Sequence, residues 1–244
     1  MVHADQPTCF PRGLRTAVSS KDDGTMLDRT QDFHAEAVVR NRLAFCRQVG
    51  VGYEQCVYQK VQYGSDQTYT VVTEVVPDDA SKHTPGVAAD MLFTDRPGVG
   101  LFLPVADCVA TIMYDPKRRY LAMLHLGRHS TYADLPTCAT RYFSEKGSRS
   151  EDVIVWMSPH AGPASYSLAW FDRQDDPTWS GLYARHGSGY YLDLAGYNQR
   201  RLIAAGVLSH NITVSYVDTV TNNQYFSHSS GDVGGRIAVL AMMT

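Results

Sequence analysis

The pattern of apolar and polar positions predicts a chain that mixes helices and strands. Residues 32–50 repeat apolar side chains about every 3.6 positions, which is typical of a helix with one buried face. The residues of that face are Ala35, Val38, Val39, Leu43 and Cys46. Asp32 stands where it can cap the start of this helix, and Gly50 stands where it can end it. We therefore expect one amphipathic helix near the amino terminus.

Runs rich in β-branched and aromatic residues predict strands after this helix. They occupy residues 67–76, 99–105, 109–115, 119–126, 152–158 and 211–218, and a last strand lies within 226–243. Two more helices are expected, one over 135–145 with Asp134 as its cap and Pro136 in its first turn, and one from 193 to Gly206. Because helices and strands do not alternate strictly, we expect an α+β or layered mixed-sheet domain.

Composition narrows the class of protein. The 244 residues are 44% hydrophobic and 19% charged, and the net charge of −3 gives no reason to expect a nucleic acid or a membrane as partner. Five cysteines without a CxxC pair fit a reducing compartment. The polar amino terminus does not read as a signal peptide, so the cytoplasm is the expected location.

The segment from Pro104 to Ser130 contains the candidate chemistry. Residues 115–118, Asp-Pro-Lys-Arg, read as a turn between two antiparallel strands. If Pro116 and Lys117 are the central pair, Cys108 lies opposite His125, and the two side chains share a face about 5 Å apart. A thiol and an imidazole so placed can share a metal ion or act as nucleophile and base.

Two other interpretations of this hairpin stay open. Pro-Lys is not a favoured two-residue hairpin turn, so a longer loop or a bulge would shift the register. Cys108 can also be a small core residue and His125 a hydrogen-bonded strand end. Gly127 permits close approach of a ligand, His129 would share the face of His125, and Arg128 is a candidate anion donor.

Several motifs in order along the chain resemble those of the YfiH-like laccase-domain proteins, also described as polyphenol oxidases and as purine nucleoside phosphorylases. They are ADMLFTDRPG, then VADC and HLGRHS with Cys108 and His125 separated as in the family, and the flanking segments VRNRLAF, SPHAGPASY, YLDLAGYNQRRLIAAGV and FSHSSGDVGGR. The resemblance implies one domain over residues 1–244, folded as a layered α/β sandwich with mixed β-sheets.

The resemblance also implies a function and a site. Members are described as cleaving adenosine, inosine, guanosine or methylthioadenosine with phosphate, and some as deaminating adenosine. They carry zinc, or copper, on two histidines and a cysteine beside the nucleoside pocket. Cys108 and His125 match two of these ligands. Asp107 beside them is a candidate catalytic residue, and the candidate substrate-binding residues are Asn41, Arg42, Arg128, His129 and Arg236.

The sequence departs from the family pattern at several of these positions. Tyr63 stands where the first histidine ligand is expected, and a neutral phenol does not replace that bond. His83, and after it His129, His160 and His228, are candidate substitutes. Arg128 and His129 stand at a tryptophan and an arginine position, Ala164 and Ser165 replace paired cysteines, and Ser229 and Ser230 replace paired arginines.

Three functions follow as hypotheses from these residues. The first is a purine nucleoside phosphorylase with a Cys/His metal site, acting on a nucleoside and phosphate. The second is a metal-free Cys-His hydrolase, and the third is a catalytically degenerate member that binds a nucleoside or a protein. Polyphenol oxidation is disfavoured, because multicopper oxidases need paired histidine motifs and the chain contains no H-x-H. The oligomeric state is not predicted.

Overall fold

The computed structural model describes residues 1, 5–80 and 86–244. The strands are β1 (Leu14–Val18), β2 (Leu27–Asp28), β3 (Cys56–Lys60), β4 (Val72–Glu74), β5 (Val87–Ala88), β6 (Met91–Thr94), β7 (Gly100–Val105), β8 (Val109–Asp115), β9 (Tyr120–Leu126), β10 (Ile154–Met157), β11 (Ser167–Leu168), β12 (Tyr183–His186), β13 (Gly189–Leu192), β14 (Ile212–Val214) and β15 (Gly235–Met243). The helices are α1 (Glu36–Val49), α2 (Pro77–Ala80), α3 (Arg128–Tyr132), α4 (Leu135–Glu145) and α5 (Leu194–Ala204).

Two large mixed sheets organise the molecule. The first has the strand order β1-β15-β7-β3-β5, and β2 also pairs with β15; the second has the order β14-β10-β8-β9-β6-β4. Parallel pairs, such as β3 with β7 and β4 with β6, stand beside antiparallel pairs such as β8 with β9. A small sheet of β11, β13 and β12 lies apart from both.

The buried side chains show how the layers stack. Leu101 and Val239 of the first sheet share one apolar cluster with Ile112 and Met123 of the second, so the main core lies between the sheets. The opposite face of the first sheet packs on α1, and the opposite face of the second packs on α4 and α5. This α-β-β-α stack confirms the prediction of a layered sandwich with mixed sheets. One domain over residues 1–244 stays a prediction.

The first helix forms as expected, but its start and its buried face differ from the prediction. Gly50 ends α1 in the left-handed region, with φ of 74°. Asp32 does not cap it, because α1 begins four residues later and the Asp32 carboxylate accepts the His34 N–H instead. Leu43 is 45% exposed, whereas Phe45 is buried. The buried face of α1 is therefore rotated about the helix axis relative to the predicted face.

Elsewhere, the predicted elements are found, some of them with shorter bounds. The helix predicted over 135–145 has those bounds, although the Asp134 carboxylate pairs with Arg201 instead of capping the backbone. The strands predicted over 67–76 and 211–218 shrink to β4 and β14. None of the described helices combines the length and the apolar character needed to cross a membrane.

The hairpin register predicted from the turn is wrong by two positions. Pro116 and Lys117 belong to a four-residue loop between Asp115 and Tyr120, and His125 pairs with Ala110 instead of Cys108. The Asp115 carboxylate accepts the N–H groups of Lys117 and Arg118, which fixes this loop. Because side chains alternate with a period of two, the slip keeps every residue on the predicted face.

Candidate functional site

A cleft of about 470 Å³ opens where the ends of several strands meet. β3 and β7 are parallel, so their carboxyl ends reach the same edge of the first sheet. The start of β8 and the end of β9 reach the same place from the second sheet. The polar and aromatic residues of the lining are Arg29, Phe33, Tyr58, Gln59, Lys60, Tyr63, Asp107, Cys108, His125, Tyr166, His228, Ser229 and Arg236.

Cys108 and His125 face each other across Gly127, despite the change of register. A Cβ on Gly127 would lie 3.1 Å from the Cys108 Sγ and 3.0 Å from the His125 Cε1. The sulfur and the ring therefore approach the same small volume, and only glycine leaves that volume open. The ring of Tyr63 stands edge-on to His125, with 6.3 Å between ring centroids. The convergence of the thiol and the imidazole in one cleft agrees with the sequence analysis.

Burial keeps both groups uncharged near neutral pH. Burial, and then the nearby Asp107 carboxylate, raises the pKa of the Cys108 thiol to about 12. Burial, and then the nearby His129, lowers the pKa of His125 to about 4. A thiolate–imidazolium pair would need the opposite shifts in both pKa values. The protein by itself thus presents a thiol and a neutral imidazole to the cleft.

Hydrogen bonds to the Asp107 carboxylate connect three separate parts of the chain at the cleft. Its carboxylate accepts the Thr219 hydroxyl at 2.8 Å and the Ser229 N–H at 2.7 Å. Its backbone has φ of 67°, in the left-handed region that costs most side chains energy. Such a conformation persists when the surroundings impose it, and often at functional sites. The contacts make Asp107 a positioning residue for the Ser229 loop; a catalytic role stays a prediction.

An aromatic wall lines one side of the cleft, and Arg42 supports it from behind. Phe33 and Tyr58 pack edge to face, with centroids 4.6 Å apart. The Arg42 guanidinium lies 4.0 Å from the Phe33 ring centroid and donates to the carbonyls of Met26 and Phe33. Arg42 is fully buried, so it does not reach the cleft as the substrate-binding residue that the sequence predicted.

Three other predicted substrate contacts also lie off the lining. The Asn41 amide donates to the Thr25 carbonyl. His129 stacks on Tyr69 with centroids 4.6 Å apart, and Arg128 points a guanidinium nitrogen at His129. Their role as substrate contacts stays a prediction. His83, the substitute metal ligand, lies outside the described residues.

Arg236 does line the cleft, together with a second arginine that sequence reasoning missed. β2 pairs with β15, opposing Leu27 to Arg236, and the Arg29 N–H donates to the Gly234 carbonyl. The Arg29 guanidinium lies 5.9 Å from the ring centroid of Tyr63. No periodicity or motif marks Arg29 in the sequence, because its place depends on a pairing across more than two hundred residues.

Comparison with known proteins places the chain in a family. Residues 18–244 match the family model described as "Multi-copper polyphenol oxidoreductase laccase". The chain belongs to this laccase-like family. The match confirms the resemblance that the motifs around Cys108 and His125 indicated, and it extends over nearly all of the fold.

Relatives within the laccase-like family carry names that refer to nucleosides. The purine nucleoside phosphorylase YlmD of Bacillus subtilis (strain 168) is 29% identical over 195 residues, which is 73% of this chain and 69% of that protein. The protein of the same name in Geobacillus stearothermophilus is 27% identical over 246 residues, covering 93% of this chain and 88% of that one.

Solved structures show the same fold. The crystal structure of YlmD from Geobacillus stearothermophilus superposes with a TM-score of 0.81 at 23% identity, covering 100% of this chain and 97% of that one. The hypothetical protein YfiH of Bacillus licheniformis gives a TM-score of 0.80 at 21% identity, covering 95% and 93%.

The laccase-like family suggests a metal such as copper or zinc, but the described side chains supply an incomplete donor set. A catalytic zinc ion takes three protein ligands, and Cys108 and His125 provide two. Within residues 1, 5–80 and 86–244, no group of three His, Cys, Asp or Glu side chains is placed to hold a metal. Tyr63 stands beside the pair, yet the residue is 54% exposed and a phenol with an ordinary pKa of about 10 is neutral near pH 7, so it does not supply the phenolate that would bind a metal. These residues alone do not fit a zinc centre.

Proposed function

We propose that the cleft binds a purine nucleoside and supports its cleavage by phosphate. One observation carries this proposal: Cys108 and His125 line the same cleft as the aromatic rings of the wall and two arginines. Purine bases stack on aromatic faces, and phosphate binds guanidinium groups through paired hydrogen bonds. The names of the relatives support the same class of reaction, with adenosine, inosine, guanosine and methylthioadenosine as candidate substrates.

Phosphorolysis requires the cleft to hold an anion beside the ribose and to fix the orientation of the base. A phosphate oxygen attacks C1′ of the ribose, the bond from C1′ to the purine nitrogen breaks, and the purine leaves with the electron pair and takes up a proton. Positive charge develops on the ribose in the transition state, so a preorganised anion beside it and a fixed base orientation accelerate the step. Phe33 and Tyr58 would orient the base, while Arg236 would hold phosphate.

A metal enters this proposal only as an ion that Cys108 and His125 would share with a further donor. Zinc is the first candidate and copper the second, because thiolate and imidazole suit both. Elemental analysis of the purified protein measures occupancy directly. With Tyr63 in place of a third donor, we expect less than one zinc per chain, and dialysis against a chelator should remove what is bound. One tightly held zinc per chain would show that a residue outside the pair completes the site.

The activity itself is tested with inosine and phosphate. We expect ribose 1-phosphate and hypoxanthine to form only when both substrates are present. Cys108→Ala and His125→Ala should lower the rate by at least about 100-fold, in the range of lost catalytic groups. Cys138→Ala on α4 and His210→Ala on the surface are matched controls that should retain the rate. Absence of product from all four candidate nucleosides would overturn the proposal.

A second candidate function is nucleoside binding without turnover. The incomplete donor set and the serines at positions 229 and 230, where the family has arginines, favour it. Inosine would then bind the cleft with an affinity that Cys108→Ala leaves nearly unchanged, and no ribose 1-phosphate would form. The hydrolase alternative is disfavoured, because burial raises the pKa of Cys108 when a nucleophilic thiol needs it lowered.

A further inference from the structure

A second cavity, of about 560 Å³, lies apart from the cleft and shares no lining residue with it. It opens between the loop that follows β10, the first turns of α5, and β14 with the residues after it. β14 is the last strand of the second sheet, so this cavity lies at an edge of the sandwich. Its volume is in the range of pockets that hold small organic molecules.

His160 presents one ring nitrogen to this cavity as a hydrogen-bond acceptor. The residue is 6% exposed, and its Nδ1 lies 2.7 Å from the Ser158 carbonyl oxygen, which can only accept, so Nδ1 carries the hydrogen. Burial lowers the pKa of His160, so the ring is neutral near pH 7 and Nε2 keeps its lone pair. Nε2 bonds to none of the described residues, yet it is not one of the polar atoms buried without a partner. It is therefore open to the cavity that the residue lines.

The charged side chains around His160 are two aspartates, and among the described residues no lysine or arginine lines the cavity. Asp193 caps α5 through Oδ1, which accepts the Gly196 N–H at 2.7 Å, and its Oδ2 accepts from no described residue. Asp218 accepts the Gly162 N–H at 3.1 Å. Neither carboxylate forms an ion pair within the described part of the chain. Two carboxylates without a cation give the cavity a negative potential.

Two glycines leave these carboxylates uncovered. A Cβ on Gly162 would lie 2.9 Å from Oδ2 of Asp218, and a Cβ on Gly196 would overlap Oδ2 of Asp193. Tyr216 is fully exposed where it lines the cavity, and an aromatic face attracts a cation. Within the described residues, no three His, Cys, Asp or Glu side chains are placed to hold a metal ion. Acceptors spaced this widely suit an organic cation better than a metal ion.

We propose that this cavity binds a small organic cation through a primary ammonium group. An ammonium has three N–H donors, which match the lone pair of His160 Nε2 and the open oxygen of Asp193, while Asp218 adds a second negative charge. A quaternary ammonium has the charge but no N–H donor, so it fits the cavity less well. The site lies outside the cleft, and it does not depend on the function proposed for the cleft.

The test is a titration of ¹⁵N-labelled protein with putrescine at pH 7 and constant ionic strength, followed by nuclear magnetic resonance of the His160 ring nitrogens. We expect a saturable shift of the Nε2 resonance. Asp193→Asn removes the charge and keeps a side-chain oxygen that can cap α5, so it should weaken putrescine binding about 10-fold. Asp175→Asn, at an exposed position outside this cavity, is the matched control and should leave the affinity unchanged.

A quaternary analogue separates charge from hydrogen bonding. Putrescine with both nitrogens fully methylated should bind the unaltered protein about 10-fold more weakly than putrescine, because it cannot donate to Nε2. His160→Phe keeps a ring in the cavity wall and removes the acceptor, so it should narrow this difference. A difference retained in full by folded His160→Phe would overturn the role of Nε2.

Three outcomes would overturn the cation site as a whole. They are equal putrescine affinities in Asp193→Asn and Asp175→Asn, equal affinities of the unaltered protein for putrescine and its quaternary analogue, and the absence of a saturable shift. These comparisons decide the question even if His160→Phe does not fold, because none of them uses that variant.

Discussion

His125 is a buried base whose ionisation is linked to folding. Its pKa is about 4 in the folded protein, below the ordinary value of 6.5, because burial and the neighbouring His129 disfavour the imidazolium. Between these two values the unfolded chain binds a proton that the folded chain does not. The contribution of His125 to the free energy of unfolding is therefore fully present above about pH 6.5 and is lost as the pH falls towards 4.

This linkage gives a prediction at the scale of one residue. In chelator-treated protein, the free energy of unfolding should fall by up to about 3 kcal/mol between pH 6.5 and 4 on account of His125. His125→Gln should flatten that part of the profile, and the exposed His210→Gln should leave it unchanged. Urea unfolding at a series of pH values measures both. Identical slopes in His125→Gln and the unaltered protein would contradict the assignment.

Gly127 gives a second prediction at this scale. Its φ of −94° suits alanine, so replacement strains no backbone, but the new Cβ would press on the Cys108 sulfur and the His125 ring. We expect Gly127→Ala to remain folded, with a loss of about 1–2 kcal/mol from overpacking. Inosine affinity or ribose 1-phosphate formation should fall at least about 10-fold. Retention of both would show that the volume around Gly127 is not part of the site.

At the scale of elements, α1 shows how one buried cation organises a cleft wall. Arg42 donates to Met26 and Phe33, which precede the helix, and to the Tyr53 hydroxyl, which follows it. The helix thereby joins the segment that carries Phe33 to the strand that carries Tyr58. The family resemblance suggested Arg42 as a substrate-binding residue, and the apolar periodicity of the helix did not mark it as buried, because arginine is usually exposed.

Replacement of Arg42 separates its structural support of the cleft wall from a role as a substrate contact. Arg42→Met keeps the apolar packing and leaves the buried Met26 carbonyl and the partly buried Phe33 carbonyl without their donor, so the free energy of unfolding should fall by about 3 kcal/mol. Arg40→Met, at an exposed position whose ion pair with Glu36 lies in water, should change it by less than about 0.5 kcal/mol. Urea unfolding at pH 7 measures both variants. Unchanged stability with lost inosine binding would restore Arg42 as a substrate contact.

The hairpin of β8 and β9 shows what local pattern could and could not predict. The turn residues indicated where the chain reverses, and alternation indicated which side chains share a face. The Asp115 carboxylate, by accepting two backbone N–H groups, selected a four-residue loop instead of a two-residue turn. A shift of two residues preserves the face of each side chain within the paired strands, and Cys108, which lies just before β8, still approaches the His125 ring beside Gly127.

At the scale of the whole molecule, the cleft joins segments from Leu27 to Arg236. A ligand that contacts so many separate segments binds the folded chain and not the unfolded one. Inosine at 100 times its dissociation constant should therefore raise the free energy of unfolding by about 2.7 kcal/mol. Thermal unfolding with and without inosine measures the shift, and Gly127→Ala should show a smaller one at the same concentration. No shift in the unaltered protein at millimolar inosine would contradict nucleoside binding.

The sequence by itself determined the elements whose signals are local. The helix over 135–145, the end of α1 at Gly50 and the strands β7, β8 and β9 follow from periodicity and turn residues. The identity of the thiol and the imidazole also came from the sequence, through spacing and family motifs. Each depends on side chains near one another along the chain, so each can be predicted from a short window.

Only the tertiary structure decided what each face meets. It buried Arg42, exposed Leu43, turned Asp107 into a link between Thr219 and Ser229, and brought Arg29 beside Arg236. The last two outcomes depend on contacts between residues a hundred or more positions apart, such as the pairing of β2 with β15. A local hydrophobic pattern states that a face is buried but not against which partner, and that choice is made by the packing of the whole chain.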